Sequence, residues 1–117
     1  MATEWSEDIV VADLADEPAL SEELSATIDR VSSGAEGHVP HIVLNFGQVS
    51  YVNSSNLADL IRLHKALAAR GRHLRLCSLP DDVWQVMMVT GLDKILRFAP
   101  DPLTALATLQ MEDSGTG

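Results

Sequence analysis

One short apolar run constrains this chain more than any other feature of its sequence. Residues 41–46, HIVLNF, are almost continuously apolar and do not alternate between apolar and polar positions. A strand with one face in water would alternate, so this run predicts a strand buried on both faces, as in a parallel sheet. Parallel neighbours are joined by long crossover connections, usually helices. The run therefore predicts a sheet with helices packed against it.

The rest of the sequence alternates between strand-like and helix-like segments in the same way. Strands are predicted at residues 8–14, 41–46, 73–78 and 95–98. Helices are predicted through Leu20, Leu24, Ile28 and Val31, from residues 53–56 to Gly71, from Pro80 to Gly91, and from Asp101 onward. The expected core includes Ile42, Leu44, Leu57, Leu60, Ile61, Leu76, Val86 and Leu92. We expect an α/β fold, with a mostly parallel sheet of about four strands flanked by about four helices.

The length and the cysteine content narrow the class of protein. A chain of 117 residues fits one domain, which we place at residues 1–111, with a flexible tail at 112–117. No run approaches 18 apolar residues, and the first ten residues lack the pattern of a signal peptide. The single cysteine, Cys77, cannot form an internal disulfide, and we expect it to be a small core residue. We therefore expect a cytoplasmic protein with no membrane insertion.

The charge is distributed unevenly along the chain. Residues 1–40 carry ten acidic residues and one base, Arg30, and so account for the whole net charge of −9. Residues 41–117 balance, with seven acidic and seven basic residues. The first part would repel a nucleic acid duplex or an anionic membrane, and the second part would not attract one. The charge argues against a nucleic acid partner and is compatible with a basic protein surface.

The sequence contains none of the common enzyme motifs. Its seven glycines are scattered singly, no G-x-S-x-G motif surrounds Ser54 or Ser55, and no Cys/His pair has the spacing of a zinc site. We expect no enzymatic activity, no cofactor and no metal. His64 lies on the apolar stripe of the second helix and is interpreted as a structural histidine. The alternative is a proton-transfer role in a small hydrolase that uses Ser54.

The tetrad Asn53-Ser54-Ser55-Asn56 is the first candidate site, because it joins the strand at 41–46 to the start of a helix. One interpretation is helix capping, in which these polar side chains accept hydrogen bonds from free backbone N–H groups. The other is a modification site. A phosphate at a helix N-terminus meets free N–H groups and a favourable dipole, so the fold would tolerate it.

The third helix carries the second candidate site. Its core stripe is predicted to comprise Val83, Val86, Met87 and Thr90. Trp84 and Met88 are four residues apart and project away from that stripe, so they would form a contact patch for a partner beside the Ser54 loop. The alternative is that other parts of the sheet cover these two side chains.

Several segments, in this order and spacing, resemble one known family. They are residues 41–46, 49–52, 53–57, the helix that follows to 70–72, the strand ending at 76–78, residues 90–96 and residues 105–109. Over about residues 41–110 the chain resembles a STAS domain, the module of anti-sigma factor antagonists. The family normally opens with an additional strand before the one predicted at 8–14, and this chain looks too short to contain it.

The resemblance implies roles for the tetrad. Family members carry D-S-x-G or D-S-S/T-G at the start of the second helix, and a partner anti-sigma kinase phosphorylates the first serine. Ser54 matches the phosphoacceptor, and Ser55 is the less favoured acceptor and the expected helix cap. Asn53 stands where aspartate is usual, and Asn56 where glycine is usual. Asn56 would then add a side chain to a surface that the family keeps bare.

Two functions follow from this resemblance. The first is an anti-sigma factor antagonist-like protein that binds a partner anti-sigma kinase and is switched by phosphorylation at Ser54, with ATP bound only by the partner. The second is an adaptor that is not phosphorylated and docks constitutively on a transporter ATPase or a signalling assembly. The expected contact residues are Asn53, Ser54, Ser55, Asn56, Trp84 and Met88.

Overall fold

The computed structural model describes residues 3–5, 9–33 and 39–114, and within them five strands and four helices. The strands are β1 (Thr3–Trp5), β2 (Ile9–Asp13), β3 (His41–Asn45), β4 (Leu74–Cys77) and β5 (Arg97–Ala99). The helices are α1 (Ala19–Ser33), α2 (Ser54–Ala68), α3 (Asp81–Thr90) and α4 (Pro102–Ser114), with a 3₁₀ turn at Leu92–Lys94 between α3 and β5. Of the strand predicted at 8–14, residue 8 lies outside the described residues.

The strands form one sheet in the order β1-β2-β3-β4-β5. The four strands from β2 to β5 run parallel, and β2 pairs with β3 from Ile9 opposite His41 to Asp13 opposite Asn45. These four parallel strands and the four helices confirm the predicted α/β class. Because every crossover helix begins after the carboxyl end of a strand, the helix N-termini gather at one edge of the sheet, here called the carboxyl edge.

The expectation that the family's additional first strand is missing is wrong. The segment Thr3–Trp5 pairs antiparallel with β2, with Glu4 opposite Val11. An antiparallel neighbour needs only a short connection, whereas a parallel one needs a crossover of a dozen residues or more. Few residues before β2 are therefore enough to add this edge strand.

Strand β3 is buried on both sides, as its apolar run predicts. Ile42 and Leu44 face the main core with residues of α1 and α2, whereas Val43 faces a smaller cluster with Ala105 and Leu109 of α4. The predicted core residues Ile42, Leu44, Leu60, Leu76 and Leu92 are buried, and Leu57, Ile61 and Val86 are partly buried against the same core. Helix α4 thus covers the face of the sheet opposite to α1 and α2.

The last helix enters the segment that the sequence analysis assigned to a tail. Helix α4 continues to Ser114, three residues into the segment expected to be a flexible tail, and residues 115–117 lie outside the described part of the chain. Among the described residues, no helix is both long enough and apolar enough to cross a membrane.

Candidate functional site

The tetrad lies at the carboxyl edge of the sheet, at the N-terminus of α2. The helix begins at Ser54, and Asn53 is its N-cap residue. The Asn53 side-chain oxygen accepts a hydrogen bond from the backbone N–H of Asn56 at 2.8 Å. In return, the Asn56 side-chain oxygen accepts one from the backbone N–H of Asn53 at 2.9 Å. The two asparagines therefore form a reciprocal capping box.

This arrangement corrects the predicted role of Ser55. The expected cap at Ser55 is wrong, because Ser54 and Ser55 are the first and second residues inside the helix. Asparagine is as good an N-cap as serine, and here Asn56, three residues further on, completes the box. The caps of this helix are therefore the two residues that depart from the family pattern.

Both serines are consequently left available at the surface. Ser54 and Ser55 are exposed, and neither hydroxyl forms a hydrogen bond with any residue in the described parts of the chain. The first turn of α2 contains no acidic residue. The backbone N–H groups at a helix N-terminus lack intrahelical partners, and the capping box engages those of Asn53 and Asn56 but not those of Ser54 and Ser55. This end of α2 can therefore accommodate an anion on either hydroxyl.

Asn56 lies inside the protein, so the expectation that it adds a side chain to the contact surface is wrong. It is 0% exposed. Its side-chain nitrogen donates hydrogen bonds to Glu17 Oε2 at 2.8 Å and to Ser21 Oγ at 3.4 Å. The side chain points inward because these groups, at the start of α1, offer the acceptors that a buried amide requires. Asn56 therefore fixes α2 against α1 and cannot itself contact a partner.

Two carboxylates of the segment between β2 and α1 complete this region, and the sequence analysis did not identify them. Asp16 accepts hydrogen bonds from the Ser50 backbone N–H at 2.8 Å and the Ser50 hydroxyl at 2.7 Å. Glu17 accepts one from the backbone N–H of Ser21 at 2.9 Å and another from the Ser21 hydroxyl. Their position could have been inferred, because both lie within four residues of the end of β2, which ends at the same edge of the sheet as β3.

These hydrogen bonds favour the ionised form of both carboxylates. The Ser50 hydroxyl and backbone N–H lower the pKa of Asp16. The Ser21 hydroxyl, followed by the Asn56 amide, lowers the pKa of Glu17, and the neighbouring Asn53 side chain acts in the same direction. Donors that favour a charged carboxylate have this effect. The loop before α2 and the start of α2 are thus held by two anionic groups from the neighbouring crossover.

Trp84 occupies a different environment from the one expected. Its ring meets that of Phe98 in β5 edge to face, with centroids 5.0 Å apart, and it packs against the main core. The expectation that it projects away from the core is wrong, because β5 lies beside β4 and brings Phe98 against the flank of α3. Trp84 and Phe98 line a shallow groove of about 270 Å³ at the end of β4 and β5.

Met88 is the exposed member of the predicted patch. Its side chain is 47% exposed and its neighbour Val89 86% exposed, while Val83 and Met87 are buried as predicted. Thr90, expected in the core stripe, is exposed, and its hydroxyl donates to the Val86 carbonyl. Met88 lies seven residues into α3, roughly 10 Å along the helix from the carboxyl edge. The structure therefore does not place Met88 directly beside Ser54.

Replacing Trp84 and Met88 separately should distinguish their roles. Trp84→Ala is expected to lower the free energy of unfolding by about 1–2 kcal/mol, since it removes a half-buried ring and its contact with Phe98. Met88→Lys should change the free energy of unfolding by less than about 0.5 kcal/mol, because the side chain is largely in solvent. Urea denaturation of both variants measures this difference. Equal losses would show that Met88 also belongs to the core.

The remaining candidate groups do not assemble into a catalytic site. His64 is ten residues beyond Ser54 in α2, roughly 15 Å along the helix axis, so the structure does not pair them as a nucleophile and its base. Burial raises the pKa of the Cys77 thiol to about 11, and the side chain is buried as predicted. Within the described ranges, no three His, Cys, Asp or Glu side chains are grouped so that they could hold a metal ion.

Comparisons with known proteins agree with the α/β fold. A family model described as the STAS domain matches residues 12–105. The structure resembles that of a candidate anti-sigma factor antagonist of Thermotoga maritima, with a TM-score of 0.77, 18% identity, and 94% of each chain covered. It also resembles a chain of the stressosome, described as a signal integration and transduction hub, with a TM-score of 0.72, 15% identity, and coverage of 97% of this chain and 100% of the other. A third similar structure is the phosphorylated form of the Bacillus cell fate determinant SpoIIAA, with a TM-score of 0.67, 20% identity, and coverage of 92% and 96%.

Proposed function

Because the chain belongs to the STAS domain family, we propose that it is an anti-sigma factor antagonist-like regulator, and that phosphorylation of Ser54 switches its binding to a partner anti-sigma kinase. The observation that carries this proposal is the state of Ser54. Its hydroxyl is exposed at the first position of α2 and forms no hydrogen bond with the described residues. The chain is then the substrate of the kinase and acts by binding in the cytoplasm. Catalysis and ATP belong to the partner.

The helix terminus makes the phosphorylated form compatible with the fold. A phosphoserine carries about −1.5 to −2 charges at neutral pH. At the first position of α2 it would meet free backbone N–H groups and the positive end of the helix dipole. The main consequence of phosphorylation is therefore expected at the contact surface, where a partner would have to desolvate or oppose the added charge.

The two departures from the family pattern are compatible with this function when their positions are considered. Asn53 is the cap, and Asn56 is buried beneath it, so neither changes the exposed serine pair. Ser54 is preferred to Ser55 as the acceptor because it follows Asn53 as the family's acceptor follows its aspartate. The contact surface that we propose therefore centres on Ser54 and Ser55, with Asn53 at its margin and Asn56 as its support.

A constitutive adaptor is the second candidate function. Asn53 leaves the start of α2 without the acidic residue that is usual in the family. This absence favours a surface that no kinase recognises. The similarity to a chain of the stressosome is compatible with such a docking role. An adaptor would bind a transporter ATPase or a signalling assembly equally well whether or not position 54 carries a charge.

Substitutions at position 54 decide between the two functions. For the switch, we expect Ser54→Asp to weaken binding to the kinase that co-purifies from native cells by about tenfold or more, equivalent to about 1.4 kcal/mol. Ser54→Ala should keep the wild-type affinity, because the unmodified form is the binding form. Calorimetric titration measures both affinities, and mass spectrometry of the protein from cells tests for phosphate on Ser54.

Ser55→Asp is the matched control for this comparison, since it adds the same charge one residue further into the helix. A larger loss of affinity for Ser55→Asp than for Ser54→Asp would move the acceptor to Ser55. Equal affinities for Ser54→Asp and Ser54→Ala, with no phosphate found in cells, would exclude the switch and leave the adaptor.

A further inference from the structure

The carboxylate of Glu17 joins the starts of α1 and α2. It accepts hydrogen bonds from the backbone N–H and the hydroxyl of Ser21, in the first turn of α1. The same carboxylate accepts one from the side-chain nitrogen of Asn56, in the first turn of α2. Asn56 is buried and holds the cap at Asn53, so Glu17 is connected to the phosphoacceptor turn through one side chain.

Glu17 also provides a negative charge that the first turn of α2 does not carry itself. The first turn of α2 contains no acidic residue, and the N-cap is the neutral Asn53. Asp16, the adjacent carboxylate, is engaged by Ser50 and not by α2. Among the carboxylates whose side chains the structure describes, Glu17 is therefore the one hydrogen-bonded to a residue of the capping box.

We propose that Glu17 positions the N-terminus of α2 and responds to charge on Ser54, so that a phosphate there weakens the hydrogen bonds from Asn56 and Ser21 to Glu17. The modification then alters the contact between α1 and α2 as well as the outer surface. This inference rests on the proposed function only for the choice of Ser54 as the modified residue.

Electrostatics gives the reason for this response. Ser54 directly follows the cap residue Asn53, whose side chain already influences Glu17. Ser54 lies two residues before Asn56, whose side-chain nitrogen is 2.8 Å from Glu17 Oε2. Salt screens exposed charges largely only beyond about one Debye length, roughly 8 Å at physiological ionic strength, so we expect the two charges at this helix terminus to interact. Like charges disfavour each other's ionised form. The Glu17 side chain is exposed and can turn into solvent when these hydrogen bonds weaken, whereas Asn56 is buried and also bonded to Asn53.

The test uses phosphoserine installed at position 54 during translation, so that no kinase is required. Side-chain NMR then measures the pKa of Glu17 in the unmodified and phosphorylated proteins. We expect the pKa of Glu17 to be below its ordinary value in the unmodified protein and to rise on phosphorylation. The side-chain amide protons of Asn56 should exchange with solvent about tenfold faster, since a tenfold change corresponds to the loss of a modest hydrogen bond.

Asp101 is the control carboxylate within the same molecule. Its pKa is also lowered, by the backbone N–H and hydroxyl of Thr104 at the start of α4. Asp101 is hydrogen-bonded within α4, on the opposite face of the sheet from α2, so its pKa should be the same in both forms. A rise shared by Glu17 and Asp101 would indicate a general charge effect and would overturn the specific response.

Two variants separate positioning from mere stabilisation. In Glu17→Gln, phosphoserine at position 54 should no longer accelerate the exchange of the Asn56 amide. In the matched variant Asp16→Asn, the acceleration should persist. An unchanged pKa of Glu17, or a phosphate response that survives Glu17→Gln, would overturn this inference. Neither result would bear on whether a kinase modifies Ser54. That question is tested separately by the partner affinities of Ser54→Asp and Ser54→Ala.

Discussion

Replacing Leu60 by alanine is expected to lower the free energy of unfolding by about 2–5 kcal/mol. Leu60 is 0% exposed and belongs to the main core beneath α2. Truncation removes buried methyl groups and leaves a cavity that the surrounding side chains fill only in part. Urea denaturation with linear extrapolation measures the loss.

Leu103→Ala is the matched control for Leu60→Ala. Leu103 lies in the first turn of α4 and is 75% exposed, so the same truncation should change the free energy of unfolding by less than about 0.5 kcal/mol. A loss below about 1 kcal/mol for Leu60→Ala would contradict the orientation of α2, because truncating a fully buried leucine normally lowers the free energy of unfolding by more than this.

Replacing Asn56 by alanine is expected to lower the free energy of unfolding by about 2–3 kcal/mol. The substitution leaves the backbone N–H of Asn53 without its acceptor and removes the donor that reaches Glu17. Asn56→Gly, which restores the residue usual in the family, should cost about 0.5–1 kcal/mol more than Asn56→Ala, because glycine is less favourable inside a helix. Thermal and urea unfolding of both variants measure these differences.

Ser55→Ala tests whether the asparagines, and not a serine, cap α2. Ser55 is exposed and its hydroxyl forms no hydrogen bond with the described residues, so its replacement should change the free energy of unfolding by less than about 0.5 kcal/mol. A loss for Ser55→Ala as large as that for Asn56→Ala would restore Ser55 as the cap and would contradict the observed capping box.

The class of the fold was predictable because its signals are local. The apolar run at 41–46 indicates a strand buried on both faces, and the structure places β3 between two cores. The helical spacing of apolar residues in α2 likewise identified Leu60 as buried. The edge strand β1 escaped prediction, since a segment of three residues is too short to show a periodic pattern.

The candidate site was predictable in position but not in its internal structure. The tetrad was expected at the start of a helix, and α2 begins at Ser54. Which polar residue caps the helix could not be decided locally, because serine and asparagine have similar N-cap preferences. The choice depends on Asn56, whose buried side chain needs the acceptor that Glu17 provides from 39 positions earlier.

Sequence alone thus determined the α/β class, the buried central strand, the core face of α2 and the position of the serine pair. Each of these follows from the spacing of residues within a single element. Tertiary structure alone decided that Asn56 is buried, that Glu17 supports the start of α2 and that Trp84 packs on Phe98. These features depend on which strands lie side by side, because adjacent strands bring together side chains that are far apart in the chain. No local pattern in the sequence encodes the hydrogen bonds and packing between such side chains.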